Sequence, residues 1–395
     1  MSNDRPIRVL HILGSLDRGG AETWLVNALR RVDRRETAMD FLVHTAPRGA
    51  YEDEVEKLGA RVVRCLNPQG FWRYSRNFKA LLKQHGPYDV IHSHVHHYSG
   101  HILRVARKFG VPVRIAHSHN DTSRDDDRAG TARRAYLALM RYWIARDANV
   151  GLAASGKAAT SLFGSNWKSD PRRRILFCGV DLNPLRESID RDAVRAEFGF
   201  TPDDFVVGHV GRFDEQKNHS FLITAFACFA ATNPNAKLLL VGQGPLRHKV
   251  EALVEQAGLR ERVIFAGVRP DVQRLMRGAM DLFVMPSWFE GLPLVLVEAQ
   301  AAGLSCLVSD VIADETTLVE SLISKFSLER SPNDWAAAMT EFASRKTAVS
   351  KAEALEIVTR SPLNIDQSAQ EMCALYRSEL LQEPNITTAT KLSLS

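Results

Sequence analysis

The chain predicts an α/β fold of two tandem, doubly wound parallel-sheet domains, and three observations carry that expectation. At 395 residues it exceeds what one hydrophobic core usually supports, so two domains are expected. Short apolar runs alternate with helical stretches, the pattern of a parallel sheet covered by helices. The alternation then starts afresh at Phe205-Val206-Val207-Gly208-His209-Val210-Gly211.

In chain order, strands are expected at Arg8 to Leu13, Asp40 to His44, Arg61 to Cys65, Val90 to Ser93, Val113 to His117, Asn149 to Ala153 and Arg174 to Leu176. The stretch Gly179 to Pro184 and the charged segment Arg191 to Phe200 read as a connection. After it come strands at Phe205 to Gly211, Lys237 to Val241, Val263 to Ala266, Leu282 to Met285 and Cys306 to Ser309. A helix is predicted from Pro293 to Ala302, because proline suits a first helical position, apolar residues follow, and Gly303 stands where a cap is needed. The expected divisions are 1–198, 199–360, a helical segment 361–382 that returns to the first domain, and a frayed polar tail 383–395.

Composition is that of a globular protein, 45% hydrophobic and 25% charged. No apolar stretch approaches the roughly 18 residues of a membrane span, and the first residues do not read as a secretory signal. Five cysteines, Cys65, Cys178, Cys228, Cys306 and Cys373, stand singly, which suggests neither a disulfide framework nor a thiolate zinc site and fits a reducing cytoplasm. The net charge of +5 divides unevenly: 33 Lys and Arg against 22 Asp and Glu up to Phe200, then 18 against 24. A basic first half suggests anionic partners, a phosphate-bearing acceptor or an anionic membrane surface. Nucleic acid is not expected, because the basic residues are dispersed and form no recognised module.

Two carboxylates, Glu290 and Glu298, bracket the start of the predicted helix. A helix N-terminus attracts anions through its unpaired N–H groups and dipole, and carboxylates accept hydrogen bonds from hydroxyls. Together they suit a ligand with both phosphate and sugar hydroxyls. Upstream, Gly211-Arg212-Phe213-Asp214-Glu215-Gln216-Lys217-Asn218-His219 leaves the first strand of the second domain. Ligands of open α/β sheets bind at the carboxyl ends of strands, so Arg212 and Lys217 stand where a diphosphate would lie. Near the N-terminus, Gly19-Gly20 opens a helix and lets backbone amides approach a ligand, although the spacing is not the dinucleotide fingerprint. Histidines crowd two strand ends, at His92, His94, His96 and His97 and at His117 and His119, a density that can ligate metal in a hydrolase. No carboxylate nearby in sequence stands where it would orient such ligands. The run Asp125, Asp126, Asp127 reads as a solvated loop, not as a metal motif after a strand. The segment Thr131 to Ile144 mixes Arg133, Arg134 and Arg141 with aromatic and aliphatic residues, and such a helix either packs on its own sheet or rests on an anionic membrane.

Gly19-Gly20-Ala21-Glu22, Gly211-Arg212 with Lys217, Val241 to Pro245, and Ser287-x-x-Glu290-Gly291 with Glu298 resemble the signature of retaining glycosyltransferases of family 4, from about Arg8 to Tyr376. Leu307-Val308-Ser309-Asp310 and the later Asp334-Trp335-Ala336 look like the exopolysaccharide and capsule branch. The pattern departs at Cys178, where the family usually has asparagine, and at Val311 to Glu315, which replaces a glycine-rich loop. The resemblance implies the GT-B fold, two Rossmann-like domains facing a cleft, and transfer from a UDP- or GDP-sugar to a carbohydrate, lipid-linked acceptor. Arg212 and Lys217 would neutralise the diphosphate, Glu298 would hold ribose hydroxyls and Glu290 those of the transferred sugar. Gly291 and Leu292 would add amides to the phosphate cradle, Gly19, Gly20 and Gly242 would line the donor site, and Val268 and Arg269 would meet the base through their backbone. A histidine, His119 ahead of His117, would face the donor sugar. Glu290, His119, Arg212 and Lys217 are thus the catalytic candidates, with no metal, no cofactor and no protein nucleophile. The enzyme is expected in the cytoplasm, in peripheral contact with the inner membrane face. The rival readings are a nucleotide-sugar epimerase of the same fold and a metal-dependent hydrolase built on His92, His94, His117 and His119.

Overall fold

The computed structural model describes residues 5–66, 70–123, 126, 129–345 and 349–382, so the tail expected at 383–395 lies outside the described residues, as do Asp125 and Asp127. Two compact units result, Met1–Gly179 with Ile365–Ser395, and Val180–Asn364.

The first unit holds seven parallel strands, β1 Ile7–Leu13, β2 Thr37–Val43, β3 Val62–Arg64, β4 Val90–Ser93, β5 Val113–Ser118, β6 Val150–Ala153 and β7 Arg173–Ile175, in the order β3-β2-β1-β4-β5-β6-β7. Its helices are α1 Gly20–Arg31, α2 Glu52–Lys57, α3 Phe71–His85, α4 Ser99–Phe109, α5 Thr131–Asp147 and α6 Gly156–Phe163. Strands buried on both faces need continuous apolar residues, and Val9, Leu10, Ile12 and Leu13 are all buried. Polar side chains in that sheet are therefore exceptions that call for partners.

In the second unit α7 Arg191–Ala196 precedes six parallel strands, β8 Phe205–Val210, β9 Ala236–Val241, β10 Val263–Gly267, β11 Leu282–Met285, β12 Ser305–Ser309 and β13 Ile323–Phe326. Their order is β10-β9-β8-β11-β12-β13. The covering helices are α8 His219–Thr232, α9 Arg247–Gln256, α10 Val272–Gly278, α11 Leu294–Ala301, α12 Pro332–Ser344 and α13 Lys351–Thr359. The strand order reverses between β8 and β11, which opens a crevice beyond their carboxyl ends. Strand β13 was not expected from the sequence; Ile-Ser-Lys-Phe is short, only partly buried and lies at the sheet edge.

The division falls at Gly179/Val180, ahead of the expected 198/199 junction. The reason is Arg195 of α7, 2% exposed, which donates to the carbonyls of Thr201 and Ala279 and pairs with Asp281 at 3.2 Å, so the segment packs as part of the second unit. Helix α14 Ile365–Gln382 belongs to the first unit. There Trp24 Nε1 donates to Ser368 Oγ at 3.0 Å, and Tyr376 is fully buried. Burial of each such aromatic contributes about 2–3 kcal/mol. Among the described residues no helix is long and apolar enough to cross a membrane.

Candidate active site

In the second unit the loops that leave β8 and β11 lock together. Gln216 accepts from the Trp288 amide at 2.8 Å through its carbonyl, and its side-chain amide donates to Phe289 O at 2.9 Å and to Glu290 Oε2 at 3.1 Å. The other carboxylate oxygen of Glu290 pairs with Lys217 Nζ at 2.6 Å, both side chains being largely buried. The clamp brings together two candidates that the sequence holds far apart, and it means Lys217 is not a bare cation. Arg212 is exposed, and among the described residues no side-chain partner is recorded for its guanidinium. Of the two expected phosphate ligands, Arg212 is the one with charge uncompensated by the protein.

Gly242 lies beside this loop with φ of 140°, and a Cβ there would overlap the Gly211 carbonyl oxygen. Its amide donates to Gly267 O at 2.8 Å, so the loops after β8, β9 and β10 lie backbone to backbone. Only glycine permits that approach.

Helix α11 starts one residue later than expected: Pro293 is its N-cap, with ψ of 90°, and no side chain caps the end. Gly291 and Leu292 lead into it, and its first N–H groups keep the character of an anion site. Gly303, with φ of 77°, follows its end as predicted. Glu298, inside α11, is partly exposed yet crowded by protein, and burial pushes its carboxyl up to about 7 against the opposing effect of Gln273. Gln273 Nε2 donates to Glu298 Oε1 at 3.0 Å and to Asp181 O at 2.7 Å. Gln273 escaped the sequence reading because one glutamine on a short helix carries no signal. Val268 is exposed, whereas the Arg269 side chain is tied to Asp271 at 2.7 Å and to Glu197, which leaves only its backbone for a ligand.

The first unit holds Gly19 and Gly20 at the start of α1, where Gly19 is an extended N-cap without a side-chain bond. The Glu22 carboxylate folds back over Gly19 so closely that a Cβ there would overlap it, and burial raises its pKa. An acid thus occupies the position expected to meet phosphate, held there by the favourable dipole of the helix start.

The histidines form an array, not one ligand-facing ring. His11, which the sequence reading passed over, lies opposite His92 in the β1–β4 register, and residues two apart on β4 and β5 share a sheet face. His11 Nδ1 lies 3.0 Å from His94 Nε2, and His94 Nδ1 lies 2.8 Å from His119 Nε2. His119 Nδ1 lies 3.5 Å from Cys178 Sγ. In parallel, Tyr376 Oη, His92 and His117 are linked at 2.7 and 3.1 Å. Trp24 closes the array edge-on to His117, with ring centroids 5.5 Å apart. Burial holds all five rings neutral, with His11 and His119 pushed down to about 3 and His92, His94 and His117 well below their ordinary value. Both nitrogens of His119 are engaged inside the unit, which runs against the expectation that it presents one to a donor sugar; His117 is fully buried.

Asp126 corrects the solvated-loop reading. It is buried, with Oδ2 2.9 Å from His97 Nε2 and 3.3 Å from Arg141, and it accepts from Thr122. Arg141 also donates to Ser161 O at 2.9 Å, so of the three arginines expected to face a membrane this one is a packing element.

Residues 19–176 match the family model described as "Glycosyl transferase 4-like domain", and residues 190–356 match "Glycosyl transferases group 1". The chain is 35% identical over 339 residues to the "Putative glycosyltransferase EpsF" of Bacillus subtilis (strain 168), covering 85% of this chain and 87% of that protein. It is 25% identical over 382 residues to the capsular polysaccharide biosynthesis glycosyltransferase CapH of Staphylococcus aureus, covering 95% and 100%. Among solved structures, Anabaena HepE in complex with UDP and glucose superposes with a TM-score of 0.79 at 21% identity, over 94% of this chain and 100% of that one. These likenesses leave the epimerase and hydrolase readings without support. Two parallel-sheet units, a clamped pair of loops at the strand-order reversal of the second, and matches along both place the chain in the glycosyl transferase group 1 family, as a glycosyltransferase of GT-B fold.

Proposed function

We propose that the protein is a retaining, metal-independent glycosyltransferase that moves a sugar from a UDP- or GDP-sugar to a carbohydrate, lipid-linked acceptor in exopolysaccharide or capsule assembly. The observation that carries this reading is the pairing of Lys217 with Glu290 at the carboxyl ends of β8 and β11, beside the exposed Arg212 and the uncapped start of α11. Arg212 meets the diphosphate, whose charge grows as the sugar leaves, and stabilising that growth lowers the barrier. Lys217 shares its charge between the phosphate and Glu290 and fixes the carboxylate that receives the hydroxyls of the transferred sugar. Glu298 accepts from ribose hydroxyls, whose donation favours its charged form and draws its carboxyl back toward the ordinary range.

Front-face departure and attack on one side of the sugar need no protein nucleophile, which supports retention. Metal independence rests on the same residues, since Arg212, Lys217 and a helix start supply the positive charge. The acceptor class is supported by CapH and by the likeness, 26% over 261 residues, to an Escherichia coli galactosyltransferase whose acceptor is a GlcNAc-diphosphoundecaprenol. Free cysteines agree with a cytoplasmic setting, where nucleotide sugars are held.

The test is a donor screen by thermal shift, since a donor that binds the native state raises its melting temperature by mass action. It is followed by product analysis of the anomeric configuration with and without chelator. A UDP- or GDP-sugar that stabilises the chain and is transferred with retention after exhaustive chelation is expected. Inversion, or activity restored only by added divalent ion, overturns the corresponding part.

A further inference from the structure

We propose that His94, His117 and His119 in the first unit form a binding site for one divalent transition-metal ion of the zinc class. One ring nitrogen from each lies within 4.8 Å of the other two, and the same holds for the neighbouring group of His11, His92 and His94. Three features support the first group, the second of which the neighbouring group shares through His11 Nε2.

The first is the outer shell. Rings that hold a metal through one nitrogen almost always place the other against a hydrogen-bonding partner that fixes orientation and tautomer. All three rings have one: His94 Nε2 lies 3.0 Å from His11 Nδ1, His117 Nδ1 lies 3.1 Å from His92 Nε2, and His119 Nδ1 lies 3.5 Å from Cys178 Sγ. His92 is backed in turn by Tyr376 Oη at 2.7 Å. The second is a poorly paired nitrogen. His117 is fully buried and its Nε2 makes no hydrogen bond of good geometry, the Leu176 backbone being a weak partner of the ring, and a buried polar atom so poorly paired costs about 1–3 kcal/mol. A metal–nitrogen bond removes that cost. The third is the remaining pair, His94 Nδ1 and His119 Nε2, 2.8 Å apart and sharing one proton. Zinc–nitrogen bonds of about 2.0–2.1 Å set tetrahedral nitrogens roughly 3.4 Å apart, so an ion fits between them with a small separation of the rings, the proton passing by a change of tautomer to the outer ring nitrogens that face His11 and Cys178.

The donor set fixes the class of ion. Imidazoles alone suit zinc, cobalt, nickel or copper, whereas magnesium, calcium and manganese take oxygen ligands, and among the described residues no carboxylate bonds to any of these rings. The ion is structural: it ties the ends of β4 and β5, and it serves no step of the transfer proposed above.

The experiment uses the tag-free full chain, stripped with chelator and then equilibrated with Zn2+ or Co2+ and desalted. Elemental analysis is expected to give one ion per chain, and the cobalt form the visible absorption of a four-coordinate site. His94→Gln and His117→Gln should each weaken binding at least tenfold, while His248→Gln, an exposed histidine of the second unit, leaves it unchanged. Should the buried variants not fold, X-ray absorption on the zinc-loaded wild type counts the imidazole ligands directly. Absence of uptake, fewer than three imidazoles on the ion, or undiminished binding in folded variants overturns the site. None of these readouts depends on glycosyl transfer.

Discussion

Arg212 and Lys217 are both cations of one loop, but their surroundings give them different tasks. Arg212→Ala removes a charge that the protein does not compensate, so turnover should fall about 10²–10³-fold with the melting temperature nearly unchanged. Lys217→Ala also leaves Glu290, 6% exposed, without its ion pair, so stability should fall with activity, by about 2–4 kcal/mol. Steady-state kinetics and thermal melts on the two variants separate these outcomes, and equal losses of stability would contradict the assignment. Glu298 supplies the pH dependence. Its folded pKa of about 7 stands above the unfolded value near 4.5, so the proton bound in the native state stabilises fully below pH 4.5, and that contribution is lost as pH rises through 7. Glu298→Gln should therefore flatten the stability of the ligand-free protein between pH 5 and pH 8. At pH 8 it should be more stable than wild type by about 1–2 kcal/mol, partial exposure having reduced the full linkage, while donor affinity falls. Melting curves across that pH range check the sign. Spacing and residue type single out Arg212, Lys217, Glu290 and Glu298 in the sequence as candidates. That Lys217 is already paired, and that Gln273 holds Glu298, was not legible there, because each partner lies on an element remote in the chain.

At the scale of elements, the glycine-bearing loops of the second unit act as spacers. Gly242→Ala places a methyl group against the Gly211 carbonyl and forces a φ of 140° on a residue that has a Cβ, so both neighbouring loops must move. A loss of about 2–4 kcal/mol is expected, read as a lower denaturant midpoint at unchanged slope, with donor affinity reduced because the loop carrying Arg212 is displaced. The strands that periodicity predicted are those buried on both faces, where apolar residues run without interruption. Strand β13 and the assignment of 180–198 to the second unit were hidden for the converse reason. The first is a part-buried edge strand, and the second is held by Arg195 and Asp281, a polar contact without periodicity.

Across the whole molecule the charge asymmetry leaves an anionic contact as a prediction, and the residues that would express it change. Arg141 is engaged with Asp126 and Ser161, whereas Arg133 on α5 is exposed, as are Tyr142 and, on α3, Trp72 at 92%. An aromatic side chain exposed to that degree beside basic residues suits an anionic interface. Each basic residue near such a surface contributes about 1 kcal/mol, screened over roughly 8 Å at physiological salt, so binding should be weak and salt-sensitive. Cosedimentation with anionic liposomes should decrease at high salt and decrease further in Arg133→Glu and Trp72→Ala. Arg141→Glu should instead destabilise the fold, and membrane binding that ignores Arg133 and Trp72 would move the contact elsewhere.

By itself the sequence determined the α/β class, the two sheets, nearly every strand and the placement of charged residues in the second unit's loops, because each is written in local pattern: hydrophobic period, glycine placement, charged residues just past a strand. Only the tertiary structure decided that Lys217 and Glu290 are partners, that Asp126 is buried, and that five histidines on or just past β1, β4 and β5 share one enclosure backed by Tyr376 of α14. The physical reason is common to all three. Parallel strands bring residues far apart in the chain to one sheet edge, and the burial and hydrogen bonding that follow set whether a histidine or carboxyl group is solvated, paired or poised for a ligand.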